Sequence, residues 1–363
     1  MGALTHRRIV LDLDPAHRVF GDPASMRAAP RGWDFLGSTP VPLRARMRDE
    51  IAQAVQAHVA QGGAPLKCCM PMGQGGRTPI ERLRFIRELE DFPKLLVSAE
   101  HGNAFNRAFH AAHVEAGAFV GCQPEGAADS FVEAGLIDEK GWTGVYAVAP
   151  FVLLVDRKRL GARAVPERWA DLADPIYRGE VVFSGWRRDG ARSWSSYNQF
   201  FLLSIFRLLG PDGLRNLVAN VPGLMHSTQM PRHAGAASSL GAIYILPWSL
   251  ADLCPRRDHT QVVWPREGGL AYPLWLTAQA AQRERIAPLA DYFFAPKTAK
   301  WLDHNLYPSL APGERAALPQ GKKLSWLGWD YLRHASVARD IKAACAIFHE
   351  SRNAIDAEGL KCA

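Results

Sequence analysis

Between residues 34 and 116, a strand, a loop and a helix follow one another three times. This repetition limits the fold more than any other feature of the chain. Residues 34–37 end a short apolar run and lead into the turn Gly37-Ser38-Thr39-Pro40. A helix is predicted over 43–60, because Met47, Ile51, Val55 and Val59 recur every four positions, with Ala54 alongside. Gly62 and Gly63 stop it. PLKCCM (65–70) reads as a second strand and runs into the glycine-rich loop 71–76. Thr78 is placed to cap a helix over 79–90, with Pro79 at its first position and Glu81 in the capping-box position. PKLLVS (93–98) is a third strand, followed by Ala99-Glu100-His101-Gly102-Asn103 and a helix over 104–116. Strands alternating with helices pack as a parallel sheet with crossover helices. The loops at the strands' carboxyl ends then gather along one edge, where open α/β sheets bind their ligands.

The pattern restarts after residue 178. GEVVFS (179–184) reads as a strand, and a strongly apolar helix over 194–209 closes at Gly210-Pro211. GAIYIL (241–246) is a buried strand that ends at Pro247-Trp248-Ser249. The extended apolar stretches 145–155 and 271–277 are suited to connect two lobes. A last helix over 337–348 puts Val337, Ile341, Cys345 and Phe348 on one face. Residues 1–31 are polar and read as an appendage. The length of 363 residues suits two domains, at roughly 150 residues each.

Composition excludes several classes. With 48% hydrophobic and 22% charged residues, the chain is neither disordered, collagen-like nor coiled coil. No apolar run reaches the roughly 18 residues of a membrane span. The net charge of +7 is scattered, with no basic block, so neither nucleic-acid binding nor membrane insertion is expected. An anionic ligand remains compatible. Arg7 and Arg8 precede only Ile9, Val10 and Leu11 before Asp12, too short for a secretory signal. A cytoplasmic location is therefore the expectation, with the periplasm as the alternative. The six cysteines include no CxxC pair, which argues against structural zinc. Free thiols fit a reducing compartment.

VPERWADLADPIYRGEVVF (165–183) resembles the P-x-S-W-x-D-L-x-D-P-x-Y-K-G-x-V stretch of extracellular solute-binding proteins of family 1. These are the iron(III)-type binding components of ABC transporters. GCQPEGAADSFVEAGLIDEKGWTG (121–144), VVWPREGGLAYPLWL (262–276) and SWLGWDYL (325–332) are similar to further parts of that family, in the same order. The resemblance spans about residues 31–350. It implies a two-lobed α/β fold of the type II periplasmic-binding-protein kind. Each lobe would be a mixed, mostly parallel sheet flanked by helices, with a two-strand hinge between them. Lobe one would comprise 31–147 and 270–363, lobe two 148–269, and 1–30 would lie outside. It also implies a monomer that closes around a small molecule or ion, with an ABC permease as partner if the protein is exported.

Five places suit the cleft of such a fold. Ser38 and Thr39 offer hydroxyls and backbone amides to an anion, or serve only as helix caps. Cys69, Met70 and Met72 offer soft sulfur ligands, or simply pack as apolar residues. Glu100, His101 and Asn103 form a polar loop directly after a strand. His110 and His113 stand three apart on a helix nearby. Arg187 leads an arginine-rich run that continues to Ser195 at a helix start and suits bidentate anion binding. His226 and Trp248 flank the end of another strand, Trp248 as a stacking wall or a packed residue. If a metal is held, Cys69, Met72 and His101 are its candidate ligands; the sequence does not identify a cofactor.

Iron-binding members of the family carry two adjacent tyrosines after the strand that corresponds to 241–246. Here Pro247-Trp248 stands in that place, so ferric binding by phenolates on that route is not expected. The alternative function is an enzyme on the same fold, with Cys68, Cys69 and His101 or His226 as a loose analogue of a thiamine-pyrimidine synthase site. No GxSxG, HExxH or P-loop pattern supports it.

Overall fold

The computed structural model describes residues 19–20, 32–70, 79–99, 105–184, 196–310, 318–334 and 336–361. Its strands are β1 (Val19–Phe20), β2 (Phe35–Gly37), β3 (Cys68–Cys69), β4 (Leu95–Ser98), β5 (Phe119–Val120) and β6 (Gly144–Asp156). They continue as β7 (Val181–Ser184), β8 (Leu224–Met225), β9 (Ile243–Pro247), β10 (Thr260–Val263), β11 (Gly269–Gln279) and β12 (Leu324–Ser325). All join one mixed sheet. Its main path runs β1-β3-β2-β4-β11-β6-β9-β7-β8, while β10 pairs with β6, and β5 and β12 pair with β11. Two sets of parallel neighbours stand out. The first is β3-β2-β4 and the second is β9-β7-β8. These are the two repeats expected from the sequence, and they make the chain a two-lobed α/β fold.

The connecting strands β6 and β11 are buried along their whole length, as expected for strands covered on both faces. They pair antiparallel from Gly144 to Phe151 and from Leu270 to Leu276. Pro150 lies opposite Ala271, and Pro273 opposite Val148. Proline donates nothing to a ladder, and the Val148 N–H is spent on the Pro308 carbonyl at 2.9 Å. The ladder is therefore thinnest where the two repeats meet, which suits a hinge.

Helix α1 (Val41–Ala60) buries Leu43, Met47, Ile51 and Val55 against the first repeat, on the four-residue spacing of the sequence. Gly62 ends it with a φ of +86°, a conformation open to glycine at little cost. Other elements differ from expectation. The 79–90 segment forms 3-10 turns at Pro79–Phe85 and Leu89–Asp91. The 104–116 segment is a short α-turn, Arg107–Phe109, that continues as a π-turn over His110–Val114. Asn106 caps it by accepting the Phe109 N–H at 2.9 Å. Helix α2 (Ser196–Ala219) runs ten residues beyond the expected end and breaks at Gly210, with φ 72° and ψ −178°. Pro211 then opens the next helical stretch, where a missing N–H costs little.

The Trp-Asp-Leu stretch is a self-bonded connection into β7. Trp169 is fully buried and its indole N–H donates to the Gly268 carbonyl at 2.9 Å. Asp171 accepts the backbone N–H groups of Glu167 and Arg168, and Asp174 accepts that of Ile176. Tyr177 donates its hydroxyl to the Ala164 carbonyl at 2.8 Å. Gly179 turns the chain with a φ of +76°.

Helices α3 (Arg283–Phe294) and α4 (Pro296–His304) follow β11. The last helix, α5 (Val337–Lys361), is longer than its sequence pattern and packs along α2. Phe348 meets Phe183 of β7, with ring centroids 5.8 Å apart. The C-terminal helix thus leans on the second repeat, although the sequence expectation grouped residues 270–363 with the first.

Candidate functional site

Strand register locates the site. β4 ends at Ser98, opposite Trp275 of β11. β9 ends at Pro247, opposite Phe151 of β6, and Phe151 in turn pairs with Leu270 of β11. Both parallel sets therefore point their carboxyl ends toward the middle of the β6–β11 crossing. Along the strand direction the two ends lie five residue steps apart, roughly 17 Å at about 3.4 Å per step, and three strand spacings separate them across the sheet, roughly 14 Å. That span suits a small solute, and it is where open α/β sheets bind ligands.

On the first edge, Ser38, Met70 and Ala99 follow the ends of β2, β3 and β4. The Ser38 N–H is already donated to the Val97 carbonyl at 2.9 Å. Pro40 holds the N-cap position of α1 and Pro42 lies in its first turn, and no side chain caps the helix. Neither Ser38 nor Thr39 is a helix cap, and the backbone amides expected there for an anion are few. Thr39 is 1% exposed, and its hydroxyl is buried without a hydrogen-bond partner among the described residues. Its carbonyl accepts two bonds from the Arg44 guanidinium, at 3.0 and 3.3 Å.

Behind this edge, Asp34 binds the strands together. It accepts Lys94 Nζ at 2.6 Å, Arg285 Nε at 2.8 Å and Nη2 at 3.0 Å, and the Lys67 N–H at 2.7 Å. Burial alone would raise this carboxyl. The bonds from Arg285, Lys67 and Lys94 outweigh that and hold it below the usual carboxylate range.

Cys68 and Cys69 face opposite sides of the sheet, as adjacent strand residues must. Cys68 and Met70 pack with Phe35, Leu43 and Met47, while Cys69 packs with Trp33, Leu36 and Leu96. Burial pushes the Cys69 thiol up to about 12 and the Cys68 thiol higher still. Both are neutral core side chains at physiological pH. This is the packed reading of Cys69 and Met70, not the soft-ligand one. Among the described residues, no group of three or more His, Cys, Asp or Glu side chains is placed to hold a metal ion. His110 and His113 are occupied locally. His113 bonds the Arg87 carbonyl at 3.1 Å, and His110 bonds Glu115 at 3.2 Å.

On the second edge, His226 follows β8 and Trp248 follows β9. His226 Nδ1 and the Thr228 hydroxyl are 2.7 Å apart in a local turn. Trp248 is half-buried and meets Trp264 edge-on at 5.3 Å. Pro247 closes β9 and Trp248 directly follows it. Met72, Glu100, His101, Asn103, Arg187 and Ser195 lie outside the described residues.

Sequence reasoning missed Gln123. Its Oε1 accepts the Val145 N–H at 2.8 Å, beside the end of β4, and its buried Nε2 has no partner among the described residues. Nothing in residue type or spacing marked it, because a single glutamine in a loop carries no periodic signal.

Two parallel sets facing each other across paired crossing strands define a solute-binding protein of the two-lobed kind. A model of the family described as bacterial extracellular solute-binding protein matches residues 90–335, more than half of the chain, and the chain belongs to that family. Solved structures agree on the fold. A Bordetella ferric binding protein is 15% identical over 86% of this chain and 98% of its own, with a TM-score of 0.56. A Trichodesmium IdiA/FutA structure in complex with iron and citrate is 15% identical over 82% and 96%, with a TM-score of 0.54. An Agrobacterium tumefaciens ABC-transporter substrate-binding protein is 12% identical over 92% and 98%, with a TM-score of 0.56. No curated protein matches the chain. The family is extracellular, and the cytoplasmic expectation finds no support in it. Among the described residues, no helix is long and apolar enough to cross a membrane.

Proposed function

We propose that the protein captures a small anionic solute between its lobes and delivers it to an ABC permease outside the inner membrane, without catalysis. The observation that carries this reading is the convergence of both sets of strand ends on the middle of the β6–β11 crossing. The Thr39 hydroxyl and the Gln123 amide supply donors on the first edge. A buried donor without a partner costs about 1–3 kcal/mol, so an incoming oxyanion gains from satisfying it. Lobe one then comprises about 31–147 and the part of the chain from 270 to β12. Lobe two comprises 148–269, with α5 packed on it.

Bare ferric iron is a poor fit. The described tyrosine hydroxyls are engaged or sit in the core. Tyr244 bonds Ser239 at 2.7 Å, Tyr292 bonds Glu50 at 2.7 Å, and Tyr331 bonds Asp340 at 2.9 Å. Tyr146 is fully buried against Phe293. A carboxylate-rich solute such as citrate, free or as a ferric chelate, suits the donors better. The Trichodesmium structure, in complex with iron and citrate ligands, is compatible with this reading.

Native mass spectrometry of freshly purified protein reads what it carries. Calorimetric titration with citrate, ferric citrate and phosphate then ranks them, with ferric salt alone as the comparison. Stronger binding of ferric salt than of every organic anion would overturn the reading.

A further inference from the structure

The segment after β12 crosses between the two repeats a third time. β12 pairs with the start of β11 at Gly269 and Leu270. The chain then forms the short helix Trp329–Arg333 and enters α5. That short helix is fastened on two sides. Toward the first repeat, Arg333 makes a two-pronged ion pair with Asp138, at 2.8 and 2.5 Å. The Asp138 side chain is 1% exposed. It also accepts the Thr143 N–H at 2.9 Å, at the entrance to β6. The guanidinium lies 4.8 Å from the Trp142 ring and 5.3 Å from the Trp329 ring, and the Trp329 indole donates to the Leu136 carbonyl at 2.9 Å. Toward the second repeat, Leu332 packs with Leu203 of α2 and with Val337. Arg207 of α2 lies 4.5 Å from the Tyr331 ring, and Trp326 stacks near Phe200 at 6.2 Å.

We propose that Trp329–Arg333 is a latch that couples the two lobes, with the Arg333–Asp138 pair as its lobe-one anchor and the Leu332–Leu203 contact as its lobe-two anchor. It rests on the two-lobed solute-binding reading and adds to it a third hinge element that a two-strand hinge lacks. Five residues hold both anchors, so a relative rotation of the lobes must turn this helix or release one side. Interfaces of this kind are bistable and bias a hinge equilibrium.

Asp138→Asn removes one charge of the anchor. Arg333→Lys keeps the charge but loses the two-pronged geometry and the stacking. Arg163→Gln is the control, since it weakens an ion pair with Glu180 inside the second repeat. Spin labels at Gln56→Cys and Asn216→Cys, on exposed positions of α1 and α2, report the interlobe distance by double electron–electron resonance. The full chain is used, with Cys122, Cys345 and Cys362 replaced by serine. Without ligand, the ratio of wide to narrow distances should shift roughly tenfold in Asp138→Asn, and less in Arg333→Lys, a coupling of ordinary size. Arg163→Gln should match the parent. Parent-like distributions in both latch variants, or an equal shift in the control, would overturn the latch. The same labels with added citrate and ferric citrate test closure separately. A distance that never responds to any solute defeats the closure reading, while the ligand-free comparison still decides the latch.

Discussion

Replacing Asp34 by Asn tests how the site edge is held together. The carboxylate is 3% exposed and joins Lys94, Arg285 and the Lys67 backbone, so one residue ties the starts of β2 and β4, the approach to β3, and α3. The amide keeps the shape but loses the charge, and it leaves two cations facing a neutral group. Breaking a buried ion pair on one side costs about 3–5 kcal/mol. Lys94 and Arg285 keep 28% and 33% side-chain exposure, and water that reaches them brings the expected loss to the lower end, about 3 kcal/mol. At about 2–4 °C per kcal/mol for a unit of this size, the melting temperature should fall by roughly 6–12 °C. The folded carboxyl titrates below its unfolded value of 3.8. The wild-type advantage is therefore fully present above the unfolded pKa and is lost as pH falls through the folded one. Calorimetric melts of both chains between pH 3 and pH 7 supply the measurement. The two melting curves should converge as pH drops below about 4. A loss under 1 kcal/mol at pH 7, or a difference that grows on acidification, would refute the reasoning.

Three further outcomes follow from the structure. Thr39→Val should leave stability equal or higher by up to about 1 kcal/mol, because it removes a buried hydroxyl that has no partner among the described residues, while citrate affinity by calorimetry drops about tenfold. Unchanged affinity would take Thr39 out of the site. Cys68 and Cys69 should resist an aromatic disulfide reagent at pH 8 in the folded protein and react after denaturation, since burial keeps both protonated. Rapid labelling of either at native pH counts against their core placement. Trp169→Phe should cost about 2–3 kcal/mol in urea unfolding, from the lost bond to Gly268 and the space left behind. A neutral result would show that the Trp-Asp-Leu motif does not hold lobe two together.

The architecture was legible because it rests on periodic and punctuated signals. The four-residue recurrence of Met47, Ile51 and Val55, and the long apolar runs of β6 and β11, record burial directly. The 79–90 and 104–116 segments misled because a good N-terminal signal says nothing of what sustains a helix. Pro79–Phe85 stays in 3-10 turns, and a π-turn carries His110–Val114. The length of α2 was underestimated because Gly210-Pro211 reads as a stop, whereas the chain kinks there and resumes. The candidate site was legible at the level of edges. Ser38, Met70, His226 and Trp248 do follow the ends of parallel strands. Which atoms remain unspent was not legible, because that depends on tertiary partners. The Ser38 N–H is claimed by Val97, and Gln123 becomes notable only through its Val145 bond and an amide NH₂ with no partner among the described residues.

The pairing of Pro247 with Trp248 also bears on selectivity. A phenolate pair at the end of β9 would bring two anionic ligands to a hard cation. The tryptophan there packs edge-on against Trp264 and carries one N–H donor and no anionic ligand. On the opposite edge, the Thr39 hydroxyl and the Gln123 NH₂ have no partner among the described residues, and both can donate. If the proposed reading holds, donors on one edge and a tryptophan on the other suit an organic anion with a nonpolar face better than a bare trivalent cation, which would lose its water shell without gaining anionic partners there.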